Sequence, residues 1–428
     1  MTSDVDKWSR TISSTDSLNF GDPAPGYHFG RDRALTIMLA IAVFFCSWRV
    51  LTLGAINLTL TDIALFGCMS LIIARDRLNA LPFDSSTPFW LMGLAMMLSG
   101  LFISTTLNGD PARWFIVAGQ YLFGFLLVPM ILSSMDTSLT RRSTAIFVLG
   151  VAVSQAIGIA ASLVFSFGDV SGIMGDGFIT GNGRLGAMTG EPNPNGAAVA
   201  FALPMLIYGM RKGFIPKPVA IGCAVPLVWG LLASASFTGF SAALIALVVY
   251  LGISGLGTLV RLMIPVVIAV AVFFASGAPL PKAFQERVAG AVSSGDLDQA
   301  GTFTDRAALV AEAWQRADDN MLIGMGVDRY RELSAYGAPV HEFHLLIWNE
   351  GGVIALFGLV IMLLMLIWLV LGAIVRSRDE GAMAAAVTTV FMIYTLSIPH
   401  MYSRMWIMPV MLALSTVYAK RPFGPADI

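Results

Sequence analysis

His341-Glu342-Phe343-His344-Leu345-Leu346-Ile347-Trp348-Asn349-Glu350-Gly351-Gly352 leads directly into Val353 to Val375, a run of 23 residues without a charge. At about 1.5 Å per residue, a helix of that length crosses a hydrocarbon core about 30 Å thick. The chain has 4 histidines, and two of them stand at this boundary. Titratable groups at that depth are costly to hold and point to function. The fold is therefore read as a membrane bundle, with its chemistry expected where this run begins.

The rest of the chain agrees with that reading. Hydrophobic residues make up 56% of the 428 positions and charged residues 12%, with a mean hydropathy of +0.76. A soluble domain carries about a quarter charged residues. A net charge of −1 implies neither nucleic acid nor an anionic membrane surface as partner, since both require a basic face. Cys46, Cys68 and Cys223 fall inside apolar stretches and read as small core hydrophobes, not a disulfide framework. Residues 1–33 are polar and lack the short apolar region and cleavage site of a signal peptide; they read as a mobile cytoplasmic tail.

Apolar runs define twelve candidate spans, near 34–48, 58–74, 89–105, 114–132, 145–166, 196–209, 218–234, 239–256, 259–276, 353–375, 381–398 and 405–419. The expectation is an all-α polytopic membrane protein with about twelve transmembrane helices. Basic residues collect on alternate connections: Arg75 and Arg77, Arg141 and Arg142, Arg211 with Lys212 and Lys217, Arg261, Arg376 with Arg378, then Lys420 and Arg421. The positive-inside rule places those connections, and both termini, in the cytoplasm. Five regions result: the tail 1–33, nine helices over 34–276, an outer loop over 277–342, three helices over 343–419 and a second tail, 420–428. Two outer connections are too long for turns: a Gly-rich one near 167–195, and 277–342, which holds a helical pattern from Asp305 to Ala317. Long loops of this kind tend to carry function. No internal repeat of the sort common in secondary transporters is present.

Arg184 and Arg306 lie on the outer side, where the positive-inside rule disfavours them. A guanidinium donates two parallel, charge-assisted hydrogen bonds to a diphosphate. Ion pairs of Arg184 with Glu191, and of Arg306 with Asp305 or Asp318, are the competing reading. Asn193 as N-cap with Pro194 at the first helical position predicts a helix start, and the N-terminus of that helix also attracts phosphate. On a helix, His341, His344 and Trp348 would share one face; a metal site there lacks a third ligand. His341 suits a general base, against which stands a plain hydrogen bond to a backbone carbonyl. Glu350, followed by two glycines, reads as packing and capping. Arg404, in the short outer loop from His400, is a further candidate cation for the same cavity.

Several of these segments resemble the bacterial O-antigen ligase and polymerase superfamily. The resemblance rests on Arg184-Leu185-Gly186 followed by Asn193-Pro194-Asn195, on Arg306 and Trp314 in the large loop, on Gly324-Met325-Gly326, and on His341 to Leu345 with Glu350-Gly351 downstream. It covers about 184–358. Two positions depart from the family pattern: Glu342 stands where an asparagine is usual, and Thr238-Gly239-Phe240 replaces a Ser-Arg-Gly turn. The resemblance implies a multi-span, lipid-donor glycosyltransferase (GT-C-like) of the bacterial inner membrane, using no cofactor and no metal. Its donor would be an undecaprenyl-pyrophosphate-linked oligosaccharide at the periplasmic leaflet, in contact with membrane lipids, a glycan acceptor and a chain-length regulator. Carried over, Arg184 and Arg306 would hold the pyrophosphate and His341 would act on the acceptor hydroxyl. Asn193, Asn195, His344, Glu350 and Arg404 would line the substrate. Polymerisation of lipid-linked repeats is the leading expectation. Ligation to lipid A core, translocation of the lipid-linked oligosaccharide without chemistry, and peptidoglycan glycosyl transfer are the alternatives.

Overall fold

The computed structural model describes residues 33–53, 58–75, 78–255, 257, 277, 279–295, 303–319 and 321–419. The expected span near 259–276, residues 1–32 of the first tail and the second tail lie outside the described residues. The long helices are α1 (Arg33–Phe44), α2 (Leu60–Arg75), α3 (Thr87–Asn108), α4 (Pro111–Leu122, continued through a π-turn and Val128–Ser133), α5 (Thr137–Val164) and α6 (Pro192–Arg211). They continue with α7 (Lys217–Ser234), α8 (Phe237–Ser254), α9 (Phe303–Asp319), α10 (Phe343–Arg376), α11 (Arg378–Thr395) and α12 (Arg404–Tyr418). Between α1 and α2, Thr52–Leu53 pairs antiparallel with Leu58–Thr59. Among the described residues the remaining regular elements are helical, apart from an isolated bridge between Ile179 and Leu185.

Among the described residues, six helical stretches are long and apolar enough to cross a membrane: α3 with its preceding turn, α4, α5, α7, α8 and α10. The other expected spans that fall on described residues coincide with helices that are shorter or more polar. Helices α1, α2 and α12 have 12, 16 and 15 residues, roughly 18–24 Å of length. Helix α6 opens on Pro192-Asn193-Pro194-Asn195, and α11 opens on Arg378-Asp379-Glu380. The 167–195 connection also departs from a plain loop. Phe167–Met174 is helical and begins with a reciprocal capping box between Ser166 and Asp169, which satisfies two orphan donors at once.

Lipid supplies no hydrophobic force between helices, so close packing of small residues must do it. Helices α3 and α10 show this most clearly. A Cβ added at Gly100 would lie 2.5 Å from the Ala355 nitrogen, and one at Gly358 would collide with the Met97 nitrogen.

Side-chain contacts sort the helix ends into two groups. At the basic end, Arg141 pairs with Glu380 at 3.3 Å, Arg211 with Asp379 at 3.1 Å, Lys212 with Asp379 at 2.8 Å, and Arg376 with Asp84 at 3.3 Å. Tyr208 also donates to Glu380 at 3.1 Å, and the Glu380 residue is only 2% exposed. One buried carboxylate therefore ties α5, α6 and α11 together. At the opposite end, Arg113 pairs with Asp328 and Arg404 with Asp62. This end gathers both long connections.

Candidate functional site

The Gly-rich loop presents Arg184 from a tight hairpin. Ile179 and Leu185 form an antiparallel bridge. The Gly183 N–H donates to Thr180 at 2.8 Å, with Gly183 in the left-handed region (φ 74°). The Leu185 N–H then donates to the Ala233 carbonyl at 2.9 Å, pinning the hairpin to the end of α7. From there the Arg184 guanidinium donates through Nε to the Ser234 carbonyl (3.0 Å) and through Nη2 to Asn193 Oδ1 (2.8 Å). Glu191, the expected partner, instead lies 3.9 Å from Arg49.

Helix α6 starts two positions earlier than expected. Glu191 is its N-cap, with extended backbone and no side-chain bond, and Pro192 occupies the first helical position. Pro194 still fits, because first-turn amides have no intrahelical acceptor to lose. The shift places Asn193 inside the first turn, where its side chain receives Arg184 and its carbonyl receives the Tyr394 hydroxyl of α11 at 3.0 Å. Asn195 is fully buried. Its amide exchanges two hydrogen bonds with Gln155 (2.6 and 3.0 Å) and donates to the Leu185 carbonyl at 3.0 Å. It braces the Arg184 hairpin and is itself closed off from any ligand.

Arg306 comes from α9, close to the helical pattern expected from Asp305 to Ala317. The helix is held by Glu312, which accepts from Ser334 Oγ (2.8 Å), the Ala335 N–H (2.9 Å) and Arg316 Nε (2.9 Å). It is also held by the Asn349 amide, which donates to the Ala313 carbonyl at 3.0 Å. Arg306 Nε is buried without a hydrogen-bond partner. Among the described residues neither Arg184 nor Arg306 pairs with a carboxylate; the Asp305 side chain lies outside them, and Asp318 makes no such pair.

The two guanidiniums share a positive neighbourhood. Burial, then the charges of Arg287 and Arg306, lower the Arg184 pKa to about 10. Burial and Arg287 lower that of Arg306. Arg287, on the helical turn that follows Lys282–Phe284, belongs to the same group; Phe284 of that segment sits edge-on to Phe240 of α8, with centroids 5.7 Å apart. The sequence reading overlooked Arg287, although it carries the same signal as Arg306: a basic residue in the long connection at the opposite end.

His341 stands beside this cluster but off the helix. Helix α10 begins at Phe343 with Glu342 as its extended N-cap (φ −134°, ψ 117°). His341, His344 and Trp348 therefore do not share a helical face, because the chain is extended at Glu342. His344 is half-buried on the first turn. His341 Nδ1 is buried without a partner. Burial and the positive charge of Arg306 push the His341 pKa below its ordinary value, with the Pro339 carbonyl opposing. The imidazole is thus held neutral with a lone pair to offer. Among the described residues no three His, Cys, Asp or Glu side chains converge as metal ligands.

Glu350 and Arg404 lie apart from the arginine group. Glu350 is buried and lines a small cavity of about 10 Å³ with Tyr121, Asp328 and His400; about one water fits such a space. Its carbonyl is the structural handle. The helix breaks at Gly352 (φ 70°, ψ −171°), and the strap Gly324-Met325-Gly326 fills the gap. The Met325 N–H donates to Asn349 O (2.8 Å) and the Gly326 N–H to Glu350 O (3.0 Å), while Ser104 Oγ also reaches Glu350 O. Asn108 donates to Gly324 O at 2.8 Å from the other side. Arg404 pairs with the buried Asp62, donates to Tyr402 O at 3.1 Å and stacks on Phe123 at 4.9 Å. Among the described residues its charge is therefore matched by a buried carboxylate, unlike those of Arg184 and Arg306.

The arrangement is a group of partly buried guanidiniums with the His341 imidazole in their positive field. It suits an anion of more than one charge, held beside a hydroxyl that is to lose its proton. In comparisons with known proteins, no family model and no curated protein matches this chain.

Proposed function

We propose that the protein is a membrane glycosyltransferase that polymerises undecaprenyl-pyrophosphate-linked oligosaccharide repeats into a cell-surface polysaccharide. In this reading the basic end and both termini face the cytoplasm, and the arginine cluster opens to the periplasmic leaflet of the inner membrane. The observation that carries it is the pairing of Arg184 and Arg306, neither matched to a described carboxylate, with a neutral His341 beside them.

The acceptor hydroxyl oxygen bonds to the anomeric carbon of the donor as the bond from that carbon to the pyrophosphate oxygen breaks. The hydroxyl proton passes to His341. The bonding electron pair leaves with the pyrophosphate, whose growing charge meets fixed guanidiniums in a partly dry site. Preorganised donors of this kind stabilise developing charge without reorganisation, and holding both sugars in place removes an entropic barrier.

The test is turnover of the reconstituted protein with undecaprenyl-pyrophosphate oligosaccharide alone, and then with lipid A core added. A ladder of longer lipid-linked glycans from the donor alone is expected. Product only in the presence of the core would reassign the protein as a ligase, and no glycosidic product under either condition would overturn glycosyl transfer.

A further inference from the structure

Trp314 of α9 and the turn Met321–Ile323 before the Gly324–Gly326 strap form an apolar edge left exposed by the described residues. Trp314 is 52% exposed, Met321 48%, Leu322 65% and Ile323 46%. Four such residues together differ from scattered surface hydrophobes.

The depth of this edge is set by backbone bonds. The Val353 N–H donates to the Met321 carbonyl at 3.0 Å, and Val353 is the first residue of the uncharged run. A Cβ at Gly352 would meet Leu322 O and Ile323 C. The Trp348 indole donates to Met321 O at 3.3 Å, and the Trp314 ring stands perpendicular to Trp348 at 5.4 Å. The edge thus sits level with the break in α10. One turn further along, Ile354 and Phe357 continue it as outward-facing apolar side chains. Indole rings with a polar N–H and a broad apolar body favour the boundary between acyl chains and headgroups.

We infer that Trp314, Met321, Leu322 and Ile323 dock the outer loop into the bilayer, with the phospholipid acyl–headgroup boundary as the occupant of this surface. The lipid contact is continuous with the outward face of α10. Helix α9 then bridges two media: Trp314 is immersed, and Arg306, two turns away, faces the arginine cluster. The bilayer becomes one of the supports that hold Arg306 in place. This inference rests on the membrane character of the helices and does not depend on the reaction proposed above.

The test places a nitroxide label on Leu322→Cys and, separately, on Ile323→Cys, in protein reconstituted into phosphatidylethanolamine–phosphatidylglycerol bilayers. Glu332→Cys, on the neighbouring short helix Arg329–Leu333, is the aqueous control. Cys46, Cys68 and Cys223 are buried, and labelling of the unsubstituted protein measures their background. Labels at 322 and 323 are expected to collide with oxygen more than with a water-soluble nickel chelate, and to meet the chelate several-fold less often than the label at 332. Chelate collision equal to that at 332 would overturn the inference. An immobile label reached by neither reagent would also overturn it, since a protein partner would then cover the edge.

Discussion

The Gly326 N–H donates to the Glu350 carbonyl at 3.0 Å, across a break in α10 whose pivot is Gly352. A helix end leaves carbonyls without partners, and a buried one must find them elsewhere. Here the strap Met325-Gly326 supplies them. The two glycine motifs are one device: the second breaks the helix, and the first repairs the hydrogen bonds that the break exposes.

Gly352→Ala is expected to destabilise the fold. Its backbone lies in a region open to glycine alone and strains any other residue by about 1–3 kcal/mol, and the added Cβ would collide with Leu322 O. Thermal unfolding in detergent should show a lower midpoint; an unchanged midpoint would mean that the strap tolerates a continuous helix.

Arg184→Lys should lose turnover by on the order of a hundredfold, the cost of removing one preorganised donor group. A lysine ammonium cannot reach both the Ser234 carbonyl and Asn193 Oδ1 in the geometry of the guanidinium fork. Steady-state kinetics against the wild type decide this. Full activity would show that charge alone suffices.

The activity–pH profile should hold its plateau to a pH below 6.5, the ordinary histidine value, because burial and Arg306 keep His341 neutral. Arg306→Gln removes one of those causes, so the His341 resonance should titrate at a higher pH in nuclear magnetic resonance spectra. The stability effect has the matching sign. Between the two pKa values the unfolded chain binds a proton that the folded chain does not, so stability is present above 6.5 and falls as the pH drops toward the folded value. A His341 titration that stays put in Arg306→Gln would separate the two residues.

Asp62→Asn should impair folding but leave anion binding intact in the protein that does fold. Asp62 accepts from the Thr59 N–H and hydroxyl, each at 2.8 Å, as well as from Arg404, and none of these belongs to the arginine cluster. Protection of the folded variant by inorganic pyrophosphate in a thermal shift assay measures it. Loss of that protection would return Arg404 to the site.

Glu380→Ala strips the common partner from Arg141, Lys212 and Tyr208. Removing one side of a buried ion pair costs about 3 kcal/mol or more. The thermal midpoint of the purified variant should fall clearly. A shift within error would mean that water replaces the carboxylate.

The sequence by itself determined the helical and apolar character of the chain and the helix around Asp305 to Ala317. These are short-range properties: periodicity, composition and run length act within a few turns of backbone. It also pointed to Arg184, Arg306 and His341, because a cation or histidine at an apolar boundary is unusual wherever the chain folds. Only the tertiary structure decided which charges stand alone. Arg404 meets an aspartate 342 positions away, Arg184 meets an asparagine rather than the nearby glutamate, and Arg287 joins the cluster from a segment with no motif. Where α6 and α10 begin, and where α10 breaks, was likewise settled by long-range contact. Desolvation and ion pairing depend on what packs against a side chain, and that is fixed by the whole bundle, not by the neighbouring residues.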